Sequence, residues 1–158
     1  MVMLEIDIPG FDALKLEYLV CDFTGTLSLD GYLLPGLREK LNAIANFLKI
    51  IVLTADEFGK ARIELRDVNC EVYIIEGKDV DFQKAEFVRK LGAEKVVAFG
   101  NGANDRKMLK IARLGIIVAG REGCAVEALL SADIQVTNAT DGLNLLLNPK
   151  RLRATLKI

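Results

Sequence analysis

Short runs of consecutive apolar residues, each ending on a polar or glycine-rich turn, recur along this chain and limit what it can fold into. They cover 18–21, 50–53, 72–75, 96–99 and 115–119, and a shorter strand-like segment, 134–136, carries Gln135 between Ile134 and Val136. Successive side chains of a strand point to opposite faces, so a run that is apolar at every position belongs to a strand buried on both sides. Between the runs, apolar residues return at helical spacing, as in Leu37, Leu41, Ile44, Ala45 and Leu48. Further helices are predicted from Asp56 to about Arg66, up to Leu91, around Met108, Leu109 and Ala112, over 125–130 and over 143–147. Pro35-Gly36 opens the first helix, Asp56 caps the second, Asp79 or Asp81 caps the third, and Gly92 stops it. Strands alternating with helices define an α/β protein: a doubly wound, mainly parallel sheet with helices on both faces. The connections are of helix length and leave no room for an inserted domain, so residues 1–158 read as a single domain without a cap.

The ends depart from this rhythm. Val2, Leu4, Ile6 and Ile8 alternate with more polar neighbours, Pro9-Gly10 breaks the pattern, and Leu14, Leu16 and Tyr18 resume it. That predicts an N-terminal edge strand folded back beside the first central one. Within 28–34, Asp30-Gly31 signals a tight hairpin, either a small flap beside the strand end at Asp22 or an ordinary loop. The tail carries Lys150, Arg151, Arg153 and Lys157 and reads as a solvated or docked terminus, not a binding patch.

Composition excludes whole classes of function. No apolar stretch approaches the length of a membrane span, and the first ten residues alternate instead of forming a basic start and an apolar block. A soluble protein is expected, with neither membrane association nor a secretory signal. A net charge of −1 argues against a nucleic-acid partner. The three cysteines, Cys21, Cys70 and Cys124, are odd in number and widely spaced, as for reduced thiols in the cytoplasm. The chain has no histidine, which removes Ser-His-Asp and Cys-His nucleophiles and any His-ligated zinc site. Chemistry must then rest on carboxylates, lysines, hydroxyls and a hard cation.

Those groups fall at strand ends. Asp22 closes the run 18–21 and is followed by Phe23-Thr24-Gly25-Thr26-Leu27, where Gly25 permits a sharp turn close to a bound anion. Thr54 closes 50–53, and Gly100-Asn101-Gly102-Ala103-Asn104-Asp105 follows 96–99. The carboxyl ends of strands in such a sheet converge on one crevice. Asp22, Asp105 and the Asn101 amide make an oxygen-rich site suited to Mg²⁺, and Lys84, early in its helix, offsets the charge of Asp22 and of a phosphate. A carboxylate nucleophile, a hydroxyl, a lysine and a hard cation are the parts phosphoryl transfer uses.

The Asp22–Leu27 segment resembles the first motif of the haloacid dehalogenase superfamily, whose leading Asp becomes phosphorylated. Thr54 is similar to the second-motif hydroxyl, Lys84 to the third-motif lysine, and the 100–105 loop to the metal-binding fourth motif. Within the superfamily, Asp22-Phe23-Thr24-Gly25-Thr26 and Thr54-Ala55-Asp56 are most similar to the phosphorylation domain of P-type ATPases. The resemblance implies catalytic roles for Asp22, Thr24, Thr54 and Lys84. It implies phosphate contacts from Gly25, Thr54, Ala55 and Lys84, and Mg²⁺ ligands Asp22, Thr24, Asn101 and Asp105. For a capless member it also implies assembly into a homo-oligomer.

Two positions depart from the phosphatases of that superfamily. Thr24 stands where they carry a second Asp that acts as general acid and base, and Asn101 stands where an Asp binds metal. Residue by residue, plainer roles compete: Thr54 and Asp56 as helix caps, Asn104 as a cap, Lys78 in place of Lys84, Tyr32 as packing at the flap, Cys21 as core. The expected function is a Mg²⁺-dependent phosphohydrolase acting on a small phosphorylated substrate through an aspartyl-phosphate on Asp22, slow or ATPase-like because of Thr24. The alternative is a non-catalytic phosphate- or metal-binding module that keeps the fold.

Overall fold

The computed structural model describes residues 3–158, so Val2 of the expected first strand lies outside the described residues. In chain order, β1 (Leu4–Ile8), β2 (Asp12–Leu16) and β3 (Tyr18–Cys21) are followed by the short β4 (Ser28–Leu29) and β5 (Tyr32–Leu33). Next come α1 (Leu37–Ile44), β6 (Lys49–Thr54), α2 (Ala61–Glu64), β7 (Glu71–Ile74), α3 (Val80–Leu91) and β8 (Val96–Gly100). The chain ends with α4 (Arg106–Ile111), β9 (Leu114–Val118), α5 (Val126–Ser131), β10 (Ile134–Val136), α6 (Ala139–Leu147) and α7 (Pro149–Leu156).

The consecutive apolar runs become an all-parallel, six-stranded sheet in the order β10-β9-β8-β3-β6-β7. Alternate residues face opposite sides, as two-sided burial requires. Leu19, Cys21, Val52, Phe99 and Ile116 join Leu41 of α1 and Leu143 of α6 on one face. Val20, Ile51, Leu53, Ala98 and Ile117 meet α3, α4 and α5 on the other, against Val88, Met108 and Ala128. The first strand of the sheet is central. The chain adds β6 and β7 on one side of β3 and then crosses to add β8, β9 and β10 on the other. That reversal is the switch point beside which ligands bind in open α/β sheets.

The N-terminal strand exists but pairs differently from the expectation. β1 and β2 form their own antiparallel ribbon, with Leu4 opposite Leu16, and neither joins the main sheet. The reason lies in β3, whose two edges are taken by β6 and β8 and leave no ladder for a further neighbour. The ribbon keeps its alternation instead by burying Leu4, Ile6, Ile8, Leu14 and Leu16 in the α1/α6 side of the core.

Two helices differ from the pattern reading. α2 covers only Ala61–Glu64, because Asp56 and Gly59 both adopt positive φ and residues 55–60 form a turn. Asp56 still caps it, its Oδ1 accepting from the N–H groups of Lys60 and Ala61, each at 3.0 Å. Neither Asp79 nor Asp81 caps α3 through its side chain: Asp79 occupies the N-cap in the left-handed region, and Asp81 pairs with Arg106 and Lys107. The tail is helical and docked: Leu152 is buried, Arg153 Nε donates to Asp7 O at 3.0 Å, and Ile158 N donates to Pro9 O at 2.9 Å. The Asp30-Gly31 turn forms as expected, with both residues at positive φ joining β4 to β5. Among the described residues no helix is long and apolar enough to cross a membrane.

Candidate active site

The parallel sheet brings the carboxyl ends of β3, β6 and β8 together, and with them Asp22, Thr54 and the 100–105 loop. Asp22 ends the central strand with its N–H donating to Phe99 O at 3.0 Å, so its side chain projects at a fixed height from the sheet. Lys84, one turn into α3, reaches the same point and is fully buried. Its ammonium donates to Asp22 Oδ1 at 3.0 Å, Asp105 Oδ1 at 2.8 Å and Asn104 Oδ1 at 3.3 Å, which accounts for all three of its protons. Lys84, not the exposed loop residue Lys78, is therefore the lysine of this site. Asn104, expected to cap its helix, makes no side-chain cap bond and instead steadies the ammonium.

Asp105 is placed otherwise than as a metal ligand. Its Oδ1 accepts from Lys84, and its Oδ2 accepts from the N–H groups of Asn101 and Gly102 at 2.9 and 3.0 Å. Both oxygens are engaged and the residue is fully buried, so it positions Lys84 and the loop but offers nothing to the cavity. Gly100 makes that packing feasible, since a Cβ there would lie 2.6 Å from Asp105 Cβ.

In front of this buried group lies a cavity of about 200 Å³, walled by Asp22, Thr24, Thr54, Ala55 and Asn101. Thr26 Oγ1 lies 3.1 Å from Asn101 Oδ1 and 3.4 Å from Asp22 Oδ2. Its single proton favours the nearer amide, which leaves Asp22 Oδ2 with open lone pairs. Thr54 Oγ1 accepts from Asp56 N at 2.9 Å and retains its own proton to donate. That bond closes the turn after β6 and does not cap α2, which begins at Ala61, so the expected cap role of Thr54 is not realised. Thr24 Oγ1 is buried and, among the described residues, without a hydrogen-bond partner. Gly25 turns at φ 78° and packs against the Asn101 amide, lining the neighbouring pocket under the flap instead of the cavity expected for phosphate.

Electrostatics follow from this packing. Burial, and then the Asp105 carboxylate, push Asp22 up to about 7, with Lys84 pulling the other way. Burial alone would depress Lys84, but Asp22 and Asp105 more than offset that and hold it above the ordinary lysine value, so it stays charged. Two carboxylates around one ammonium leave a net charge of about −1 in a desolvated place. Beside it are one open carboxylate oxygen, one amide oxygen and one orphaned hydroxyl, a hard, all-oxygen donor set that a Mg²⁺ ion fits. Among the described residues no cluster of three or more Asp, Glu, Cys or His gathers there, so such an ion would rely on water and phosphate for its remaining ligands. Cys21 is core, its thiol raised by burial.

The pattern reading missed the far wall of the cavity. Glu57 and Glu122 stand at its rim, and the loop carrying Glu122 is tied to the floor where Asn101 Nδ2 donates to Gly123 O at 3.2 Å. That loop follows β9, another carboxyl end on the same edge, and strand polarity alone could have pointed to it.

The chain is similar in sequence and in fold to known proteins. A curated relative from Methanocaldococcus jannaschii, an uncharacterized protein, is 52% identical over 62 residues, covering 39% of this chain and 67% of its own. The potassium-transporting ATPase ATP-binding subunit of Thermoplasma volcanium is 26% identical over 134 residues, 84% of this chain. The probable copper-exporting P-type ATPase of Archaeoglobus fulgidus is 39% identical over 82 residues, 51% of this chain. This chain spans only 20% and 10% of those two ATPases. In fold it is similar to the cobalt-bound deoxy-D-mannose-octulosonate 8-phosphate phosphatase of Haemophilus influenzae, with a TM-score of 0.71 at 11% identity over 90% of this chain and 94% of the other. The Moraxella catarrhalis 3-deoxy-D-manno-octulosonate 8-phosphate phosphatase, solved with magnesium, phosphate and KDO, gives 0.69 at 17% identity over 88% and 90%. The sequence profile of the haloacid dehalogenase-like hydrolases matches residues 40–142, most of the chain, and the chain belongs to that family.

Proposed function

We propose that this protein is a divalent-cation-dependent phosphohydrolase that transfers the phosphoryl group of a small phosphomonoester to Asp22 and then to water. One observation carries the reading: Asp22 is pinned through Oδ1 to Lys84 while Oδ2 is open toward a cavity that also receives the free Thr54 hydroxyl proton. The Asp22 carboxylate attacks phosphorus, the bond from phosphorus to the ester oxygen breaks, and the leaving oxygen keeps the electron pair and takes a proton from water. In the second step a water oxygen attacks phosphorus, its proton passes to solvent, and the Asp22 carboxylate is released with inorganic phosphate. Thr54 donates to a phosphoryl oxygen, while Lys84, whose three protons go to Asp22, Asn104 and Asp105, does not make the phosphate contact expected of it and instead holds the nucleophile and offsets charge from behind the cavity. A Mg²⁺ ion held by Asp22, Thr24 and Asn101 would neutralise charge between carboxylate and phosphate when bound. Thr24 can orient the attacking water but is a poor proton acceptor, so the second step forgoes the roughly 10²–10⁴-fold that general base catalysis contributes.

Support comes from membership in the haloacid dehalogenase-like hydrolases and from the shared fold of phosphatases that bind magnesium or cobalt. The three free cysteines favour a reducing, cytoplasmic setting. A second reading, a phosphate- or metal-binding module without turnover, draws on the same two residues: a hydroxyl at 24 and an amide at 101. Phosphate release from a panel of phosphomonoesters with and without Mg²⁺ separates the two. Turnover should require the cation and vanish in Asp22→Asn, whose amide still accepts from Lys84 and preserves the fold. Equal turnover by Asp22→Asn would remove the nucleophile from the scheme, and release from no ester would leave the binding module.

A further inference from the structure

Around the candidate phosphoryl site, the cavity walls carry charge of one sign. The ionisable residues on its walls are Asp22, Asp56, Glu57 and Glu122, and no lysine or arginine lines it. Lys84 lies behind it, bonded to two carboxylates. Cations of the surrounding loops are engaged elsewhere or line another pocket: Lys60 sits over the Tyr32 ring, 5.0 Å from its centre, Arg106 bonds Ala103 O and pairs with Asp81, and Arg121 lines the neighbouring pocket. A buried Thr24 hydroxyl oxygen without a partner marks the cavity as a place built for a ligand.

Glu122 is held at the rim shared by the two pockets. Its loop is fastened to the floor by Asn101, whose Nδ2 donates to Gly123 O at 3.2 Å and whose carbonyl accepts from Ala125 N at 2.8 Å. Only an amide could make this side-chain bond while its Oδ1 accepts from Thr26, which gives Asn101 a role a carboxylate could not fill. At the outer end, Glu122 Oε2 accepts from Asp30 N at the flap tip, 3.1 Å away, so the side chain bridges flap and loop. It lines both the phosphate cavity and a second pocket of about 130 Å³ beneath the flap, walled by Leu29, Leu34 and Val118.

We propose that Glu122, with Glu57 at the same rim, selects phosphomonoesters whose leaving group carries an ammonium, and rejects those bearing a carboxylate or a second phosphate. This rests on the phosphohydrolase reading and narrows its substrate class. Oε1 of Glu122 makes no hydrogen bond within the described residues and is available to a cationic donor. An anionic group would meet two carboxylates with no cation facing it. The preference runs opposite to the acidic sugar named for the Moraxella structure and to a nucleoside triphosphate.

Three esters of two-carbon alcohols test this with matched size: 2-aminoethyl phosphate, ethyl phosphate and 2-phosphoglycolate. With wild type and Mg²⁺, kcat/KM should favour the amine over the carboxylate by about tenfold or more, the scale of one charge pair a few ångströms apart at a protein surface. Glu122→Gln should lower that ratio several-fold, mostly through KM, and Glu122→Lys should invert it. Glu122 is exposed, and Glu122→Gln keeps an oxygen to accept from Asp30 N, so it should melt like wild type, while Glu122→Lys gives up that one exposed bond and should melt only slightly lower. An amine-to-carboxylate ratio near one in wild type, or unmoved in Glu122→Lys, overturns the proposal while leaving the phosphohydrolase intact. A ratio that responds to Arg121→Glu and not to Glu122 also overturns it. Release of phosphate from none of the three, nor from acetyl phosphate, defeats the phosphohydrolase reading and this one with it.

Discussion

Lys84 shows how much one side chain can decide. It neutralises two buried carboxylates, and Lys84→Met keeps the volume while leaving Asp22 and Asp105 to face each other unpaired. Breaking a buried charge network in this way costs about 3–5 kcal/mol. We expect urea unfolding of Lys84→Met to show a loss on that scale together with turnover reduced at least a hundredfold, while Lys78→Ala leaves both near wild type. A collapse of activity in Lys78→Ala instead would move the phosphate lysine to the loop. Thr24 carries the second prediction at this scale. Thr24→Asp puts a proton acceptor beside Asp22, so steady-state turnover should rise and the acid-stable phosphoprotein expected to accumulate in wild type should fall. Burst kinetics with one activated ester check it, and a wild type showing neither burst nor phosphoprotein would mean that dephosphorylation is not slow. Asp22 and Lys84 were legible in sequence because a strand end and a helix start fix direction. The role of Asp105 was not, because which of its oxygens remain free depends on Lys84, 21 positions away, and on two backbone N–H groups. Glu122 was hidden for a related reason: its importance comes from the flap, and its contact to Asp30 spans 92 positions.

At the scale of elements, two glycines separate backbone strain from packing. Gly36, before α1, has φ 83° with nothing within 4 Å of the place a Cβ would occupy, so Gly36→Ala should cost only the left-handed penalty of roughly 1–2 kcal/mol. Gly100 closes β8 with an ordinary φ, but an added methyl would strike Asp105 directly. Gly100→Ala should destabilise by the roughly 1–3 kcal/mol typical of overpacking and also lower turnover, because Asp105 cannot shift without releasing Lys84. Denaturant midpoints and rates for both variants test this: Gly36→Ala should lose stability alone, Gly100→Ala both. Turnover intact in Gly100→Ala would mean the loop absorbs the methyl without moving the lysine. The six strands of the sheet and the flap turn were readable from run length, alternation and Asp30-Gly31, since those patterns report burial and φ directly. The short α2 and the helical tail were not, because the first part of the expected 56–66 helix is a turn at Asp56 and Gly59, and the tail is anchored by one fully buried residue, Leu152.

For the whole molecule, the division of labour runs between the edge of the sheet that carries the site and the elements that close the core elsewhere. The β1–β2 ribbon could not join the sheet, so its apolar face must be covered from outside. α7 does this with Leu152 and with the Arg153 and Ile158 contacts to the 7–9 segment, while Arg113 Nη2 holds Phe11 O at 2.6 Å. None of these residues touches Asp22, Thr54, Lys84 or the 100–105 loop through a hydrogen bond. Leu152→Ala removes a fully buried side chain from that seam and should cost about 2–5 kcal/mol, a large share of the 5–15 kcal/mol that keeps a domain of this size folded. Its kcat and KM below the new melting transition should match wild type, since the site hangs on β3, β6, β8 and α3. Arg153→Ala should show a smaller loss of the same kind, on the order of 0.5–1.5 kcal/mol for one hydrogen bond to an exposed backbone carbonyl. Thermal melts paired with rates measured well below the transition decide the matter. A Leu152→Ala protein that stays folded yet loses turnover would show that the C-terminal helix and the ribbon act on the site, and the separation of site from seam would fail.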